Sequence, residues 1–158
     1  MTYQEELADI FENDKPEYSY AHCISADFGM GLGIAVAFNR KFDCKNKLVR
    51  KYGSLAKPYS QGDATYCART DRVYNLITKT HYWDKPTLDS LRIALAYLKD
   101  ECIQNNVKTL VIPPLGCGLD KLKYPDVKKL IHKTFEDMDI HIICRTNDKR
   151  FASINFFA

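Results

Sequence analysis

Residues 109–120 read TLVIPPLGCGLD. Thr109 to Ile112 is a short, fully apolar run, of the kind that is buried on both faces of a sheet. It leads directly into a loop carrying two prolines and two glycines. A strand that is apolar on both faces needs cover on both faces, and helices are the usual cover.

The same form recurs upstream. Tyr18 to Ser25 (YSYAHCIS) reads as a strand, the turn DFGMGLG (27–33) follows, and Ile34 to Phe42 continues as a helix. Ile34, Phe38 and Phe42 fall on or near one helical face. Thr65 to Cys67 and Val73 to Thr78 are short strands, with the polar ARTDR (68–72) as a hairpin turn between them. Pro86 and Thr87 open a long helix. Its apolar positions Leu88, Leu91, Leu95, Leu98 and Cys102 recur at helical spacing, and Asn105-Asn106 ends it. Pro125 suits the first turn of another helix, Asp126 its positive end, and Val127, Leu130, Ile131 and Phe135 its buried stripe. Ile140 to Cys144 is the last strand. Strands and helices alternate, so the expected class is α/β.

Composition narrows the function classes. The chain has 158 residues, the size of one domain, and 46% are hydrophobic, enough for one sizeable core. The net charge is +3, and no run of five or six lysines marks a nucleic-acid arm. A small polyanion remains an eligible ligand, because it needs only local positive potential. The opening MTYQEE is polar and acidic, unlike a signal peptide. The longest apolar run, Ile34 to Phe38, is far too short to cross a bilayer. None of the six cysteines (Cys23, Cys44, Cys67, Cys102, Cys117, Cys144) forms a CxxC pair, and no histidine stands at zinc-finger spacing. The expectation is therefore no metal, reduced buried thiols, and an intracellular setting in the nucleus, the cytoplasm or both. Without heptads or an evident exposed apolar stripe, a monomer is expected.

The two glycine loops (27–33 and 114–120) each follow an apolar strand and precede a helix. Successive backbone N–H groups beside a helix N-terminus attract phosphate, and ligands of open α/β sheets bind beyond the carboxyl ends of the strands. Two such loops on one sheet edge suit a diphosphate, although a glycine loop is also an ordinary tight turn. GMGLG is not GxGxxG. Tyr52 and Gly53 stand where a dinucleotide-binding fold would carry its acidic residue, and no GK[ST] is present. Cys144 and Arg150 form a C-x5-R match. The intervening RTNDK has no glycine and includes a repelling Asp148, so it reads as chance.

Together AHCIS (21–25), MGLGIAVAF (30–38), LITK (76–79), KPT (85–87) and GCGLD (116–120) resemble the macrodomain family. More narrowly, they are similar to its terminal ADP-ribose protein glycohydrolase (O-acetyl-ADP-ribose deacetylase) subfamily. The resemblance implies a single three-layer α/β/α macrodomain over residues 1–146, with a mixed sheet of about six strands. Residues 147–158 are left as a C-terminal tail, docked or frayed. It implies an ADP-ribose cleft, with Asp9 and Ile10 near the adenine and Ser25, Gly31, Gly33 and Ile34 on the first wall. Thr78 is included among the binding residues, and Pro114, Leu115, Gly116, Cys117, Gly118 and Leu119 form the diphosphate and distal-ribose loop. Lys79 and Asp120 match the subfamily's catalytic pair. The implied activity is hydrolysis of the ester joining ADP-ribose to a protein Glu or Asp, with no cofactor, and deacetylation of O-acetyl-ADP-ribose beside it. The implied partners are ADP-ribose and proteins ADP-ribosylated on Glu or Asp. A non-catalytic ADP-ribose-binding module and an ADP-ribose 1″-phosphate phosphatase are the alternatives.

Two departures stand out. Arg145 and Asn147 occupy the region where the family carries a tyrosine, and the expectation is that Arg145 faces phosphate there. The stretch from Lys45 to Gln61 matches poorly.

Overall fold

The computed structural model describes residues 1–53 and 66–154. Its core is one six-stranded sheet in the order β1-β6-β5-β2-β4-β3. The strands are β1 (Thr2–Leu7), β2 (Tyr18–Ser25), β3 (Tyr66–Thr70), β4 (Val73–Lys79), β5 (Thr109–Ile112) and β6 (His141–Thr146). β1, β6, β5, β2 and β4 run parallel, and only the edge strand β3 is antiparallel. The mixed six-stranded sheet is the expected one.

Alternation along the strands splits the core into two layers. Ala21, Leu76, Leu110 and Ile142 belong to one apolar cluster with α3 (Leu88–Gln104) and α4 (Tyr124–Phe135). Their neighbours Tyr20, Ile77, Val111 and Ile143 belong to the other, with α1 (Ile34–Phe42) and α2 (Cys44–Tyr52). This is why TLVI carries no polar position beyond Thr109: helices cover both faces of β5. Burying each such side chain contributes roughly 1.5–3 kcal/mol.

The helices start where their caps dictate. Thr87 Oγ1 accepts from the Ser90 amide and Ser90 Oγ accepts from the Thr87 amide, both at 3.0 Å, closing a capping box before α3. Pro125 lies in the first turn of α4 with Asp126 beside it. Gly33, at φ 64°, is the N-cap of α1. That backbone conformation strains any residue with a Cβ.

Several expected boundaries move. β3 runs through Thr70, so Ala68, Arg69 and Thr70 belong to the strand and the turn contracts to Asp71-Arg72. Arg69 points to solvent while Cys67, Ala68 and Thr70 are buried, so an exposed position in a twisted edge strand mimicked turn polarity. Thr65 lies outside the described residues. β6 extends two residues past Cys144 to Thr146, because β1 pairs with it along its whole length. β1 itself, with an exposed and polar register, was not read from the sequence, nor was α2. After β6, Lys149–Ile154 form a 3-10 helix, and Phe151 packs edge-on against Tyr124 with ring centroids 5.7 Å apart. Phe156 and Phe157 lie outside the described residues. Among the described residues no helix is long and apolar enough to cross a membrane.

Candidate active site

All five parallel strands deliver their carboxyl ends to one edge of the sheet, and a cleft of about 1420 Å³ opens there. Asp9 and Ile10 follow β1, and Arg145 to Asn147 end and follow β6. Pro113 and Pro114 follow β5, Ser25 ends β2, and Lys79 ends β4. Both glycine loops line the cleft. Every expected site residue lies on its wall except Thr78 and Cys117.

Lys79 is aimed by a local irregularity. The β2–β4 register runs Cys23↔Leu76 and Ile24↔Ile77, then jumps to Ser25↔Lys79. The extra residue in β4 is Thr78, and such a shift turns the following side chain. Thr78 is consequently buried, with Oγ1 lacking a hydrogen-bond partner, and does not reach the cleft. Lys79 Nζ donates to Asp120 Oδ1 at 2.6 Å, and the two side chains are only 13% and 14% exposed. The lysine of β4 and the aspartate of the second glycine loop thus meet across 41 residues of chain.

The loop that carries Asp120 is held from three sides. Gly116, at φ 69°, accepts from the Leu122 amide at 2.8 Å, and the Leu122 side chain lies 2.8 Å from where a Cβ would stand on Gly116. Lys85 Nζ donates to the Leu119 carbonyl at 3.0 Å. The Leu119 side chain crosses the cleft to Gly33, where an added Cβ would stand 3.2 Å away. Among the described residues nothing lies within 4 Å of a Cβ placed on Gly31 or Gly118, so a ligand can approach their backbone closely.

Ser25 and Asp27 anchor the wall formed by the first glycine loop. Asp27 Oδ1 accepts from Ser25 Oγ and from the Gly29 amide at 3.0 Å, and Oδ2 accepts from the Tyr82 amide at 2.9 Å. Burial pushes the Asp27 carboxyl up, but these hydrogen bonds outweigh it and hold it below its ordinary range. Ser25 is 1% exposed, so its hydroxyl is committed to Asp27 at the floor of the cleft. Asp27 was not singled out in the sequence. The signal was available: an acid at the start of a glycine loop commonly ties its own backbone.

The thiols near the pair are inert. Burial raises the Cys23 thiol far above its usual value, the Asp120 and Cys117 charges add to this, and Lys79 opposes it. Burial likewise pushes Cys117 up to about 12, with Cys144 adding. Cys117 donates to the Leu115 carbonyl at 3.3 Å and packs against the α3/α4 core, which explains why it leaves the cleft wall. Protonated thiols do not act as nucleophiles.

Arg145 does not face a phosphate. It is 5% exposed, and its guanidinium donates to Glu6 Oε1 at 3.1 Å, to the Glu12 carbonyl at 2.6 Å and to the Ile10 carbonyl at 3.4 Å. Its charge is spent bracing the turn after β1. The cleft wall also carries Lys45, Lys85, Lys121 and Arg150. These lysines, and the exposed Tyr82 on the rim, were not among the expected site residues. Among the described residues no cluster of His, Cys, Asp or Glu is placed to hold a metal ion.

No family model matches the chain. The human protein ADP-ribose glycohydrolase OARD1 is 39% identical over 139 residues, covering 87% of each chain. Among solved structures, the macrodomain of Thermus aquaticus DarG superposes with a TM-score of 0.74 at 21% identity, covering 93% of this chain and all but 1% of its own, since 99% of it is matched. Thermosipho africanus DarTG, solved in complex with ADP-ribose, superposes with a TM-score of 0.70 at 17% identity, covering 92% of this chain and 42% of that one.

Proposed function

The chain belongs to the macrodomain family, and from that premise we propose that it binds ADP-ribose in the cleft and acts as an ADP-ribose glycohydrolase on ADP-ribosylated proteins. The finer reading is that it cleaves the ester between C1″ of ADP-ribose and a protein Glu or Asp, with Lys79 as nucleophile and Asp120 as acid/base. It is also read to deacetylate O-acetyl-ADP-ribose. Residues 1–146 are the macrodomain in this reading, and 147–158 a tail added to it.

One observation carries the proposal: Lys79 Nζ and Asp120 Oδ1 lie 2.6 Å apart, shielded from solvent, between two glycine loops. A lone surface lysine with a mobile carboxylate would have no such geometry. The chemistry follows from it. Opening of the distal ribose leaves C1″ electrophilic. Lys79 passes a proton to Asp120, its freed lone pair bonds to C1″, and the C1″–O bond breaks with the pair leaving on the protein carboxylate. Asp120 hands that proton to the departing carboxylate and, ionised again, takes one from a water that attacks the resulting iminium carbon. The C–N bond breaks, the amine is restored and ADP-ribose leaves. The balance is one water consumed per ester cleaved. Cys23 and Cys117 take no part, because their thiols stay protonated.

The expected roles of the cleft wall divide by position. The 114–119 loop and Gly31 to Ile34 would hold the diphosphate and distal ribose through backbone N–H groups, and Lys45, Lys85 and Lys121 would supply positive potential. Asp9 and Ile10, beyond β1, would flank the adenine.

The test is release of ADP-ribose from a glutamate-ADP-ribosylated protein by wild type and Lys79→Ala. Wild type should release it, and Lys79→Ala should bind ADP-ribose but release none. Reductive trapping should leave the adduct on Lys79. Equal release by both proteins would exclude the lysine mechanism. Binding without release by either would make the chain a binding module. Release of phosphate from ADP-ribose 1″-phosphate, with the ester left intact, would make it a phosphatase.

A further inference from the structure

The turn after β1 is fixed with unusual thoroughness for an exposed segment. Phe11 lies edge-on against Tyr20, Phe38 and Phe42, with ring centroids 5.1, 4.9 and 5.4 Å away. From the other side the buried Arg145 guanidinium grips the Ile10 and Glu12 carbonyls. The backbone joins in: the Ala8 amide donates to the Thr146 carbonyl at 2.9 Å and the Glu12 amide to the Asp9 carbonyl at 3.1 Å. What this leaves adjustable is the Asp9 side chain, which is exposed and lines the cleft. Asn147 removes that freedom. Its Nδ2 donates to Asp9 Oδ1 at 2.8 Å. Among the described residues Oδ2 then stands as the oxygen left for a ligand.

We propose that Asn147 is the positioning residue for base recognition, holding the Asp9 carboxylate so that one oxygen accepts from the 6-amino group of a purine, while Arg145 fixes the turn beneath it. This rests on the reading of Asp9 as part of the adenine wall. The selectivity follows from hydrogen-bond polarity. A fixed carboxylate oxygen is an acceptor only. A 6-amino purine presents a donor to it. A 6-oxo purine presents a lone pair, which the carboxylate repels. An Asp9 free to rotate could turn away from the 6-oxo group and toward water, so the discrimination depends on the Asn147 contact.

The experiment compares ADP-ribose with its hypoxanthine analogue, inosine diphosphate ribose, by titration calorimetry. The proteins are wild type, Asp9→Asn, Asn147→Ala and Asn147→Asp. The last keeps the shape of the side chain and removes the donor. Wild type should favour ADP-ribose about tenfold, the size expected for one charged hydrogen bond in a solvent-exposed setting. Asp9→Asn should abolish the preference. Both Asn147 variants should reduce it to within about twofold. Their maximal rate of ADP-ribose release should stay at the wild-type level while KM for the adenine substrate rises, which a general loss of structure would not produce. If Asp9→Asn abolishes the preference and the Asn147 variants retain it, the inference is wrong and the adenine-wall reading stands. If Asp9→Asn also retains it, the adenine-wall reading fails, and the inference with it.

Discussion

His22 makes a pH-dependent prediction whose size can be worked from the structure. The ring is 0% exposed, stacked on Phe38 with centroids 3.9 Å apart and planes 11° from parallel. Asn75 Nδ2 donates to the Ala68 carbonyl and to Thr70 Oγ1, both at 2.9 Å, so Asn75 Oδ1 faces His22 Nε2, 2.6 Å away. Nε2 therefore carries the proton, and Nδ1 is a buried acceptor with no partner among the described residues. A second proton would have to enter at Nδ1 as a buried, unpaired charge. Burial accordingly depresses the ring to about 4 from its ordinary 6.5, with the Asn75 hydrogen bond opposing only in part. The sign follows from linkage. Below pH 6.5 the unfolded chain binds this proton and the native protein does not, so stability falls with pH until the native ring also titrates near 4. The loss is about 2 kcal/mol between pH 7 and pH 5, and about 3 kcal/mol in full. Urea unfolding at pH 7, 6 and 5, for wild type and His22→Gln, measures it. The variant should be less stable at pH 7 and should lose about 2 kcal/mol less than wild type on going to pH 5. The exposed His132, lowered mainly by burial, contributes to both proteins and cancels in the comparison. Parallel pH profiles for the two proteins would refute the buried, neutral ring.

Three further outcomes are expected. Gly116→Ala forces a Cβ into φ 69° and against Leu122, so it should cost about 1–3 kcal/mol in urea unfolding and weaken ADP-ribose binding in calorimetry. Lys85→Met removes the donor to the Leu119 carbonyl, next to Asp120. ADP-ribose affinity should fall by a few fold, from the lost positive potential, while the release rate drops by a further factor of about ten, because a small displacement of an acid/base residue affects turnover more than binding. Arg145→Met strips the Ile10 and Glu12 carbonyls of their donor and leaves Glu6 unpaired, so it should lower unfolding stability by about 2 kcal/mol, Glu6 being partly hydrated.

Periodicity carried most of the fold. TLVI read as a strand buried on both faces and YSYAHCIS as a strand, and Thr87 and Pro125 marked where two helices begin. What escaped was whatever depends on a distant partner. The β1 sequence TYQEEL reads as polar because its exposed positions dominate, and it is a strand because β6 lies alongside it from Thr2↔His141 to Leu7↔Thr146. The glycine loops were legible as motifs, since close backbone approach demands glycine, whereas the Lys79/Asp120 pair, 41 residues apart in sequence, came only with the family resemblance. The resemblance put Thr78 among the binding residues and Cys117 in the ligand loop. A one-residue register shift buries the first, and a bond to the Leu115 carbonyl turns the second toward the core. Arg145 invited an electrostatic reading that its actual partners, two carbonyls and Glu6, pre-empt.

The strand ends also separate binding from chemistry. β1 and β6 terminate at the end of the cleft where Asp9, Arg145 and Asn147 lock together, and β2 and β5 feed the glycine loops at its middle. β4 delivers the lysine. Each of the five parallel strands contributes to the cleft through residues at or near its end, so a loop can change without unseating the sheet. The register shift at Thr78 is the exception, because it sits within the β2–β4 ladder itself. Without that extra residue, strand alternation would send the residue 79 side chain to the opposite face, away from Asp120. In the proposed mechanism a lysine at the end of β4 is therefore not enough: the strand must also skip one residue of register before that position. Deleting Thr78 should accordingly break the 2.6 Å contact and end ADP-ribose release, whereas Thr78→Val, which keeps the residue count and removes only an unpartnered hydroxyl, should retain it. Release by the deletion variant at the wild-type rate would show that the lysine is aimed by something other than the register.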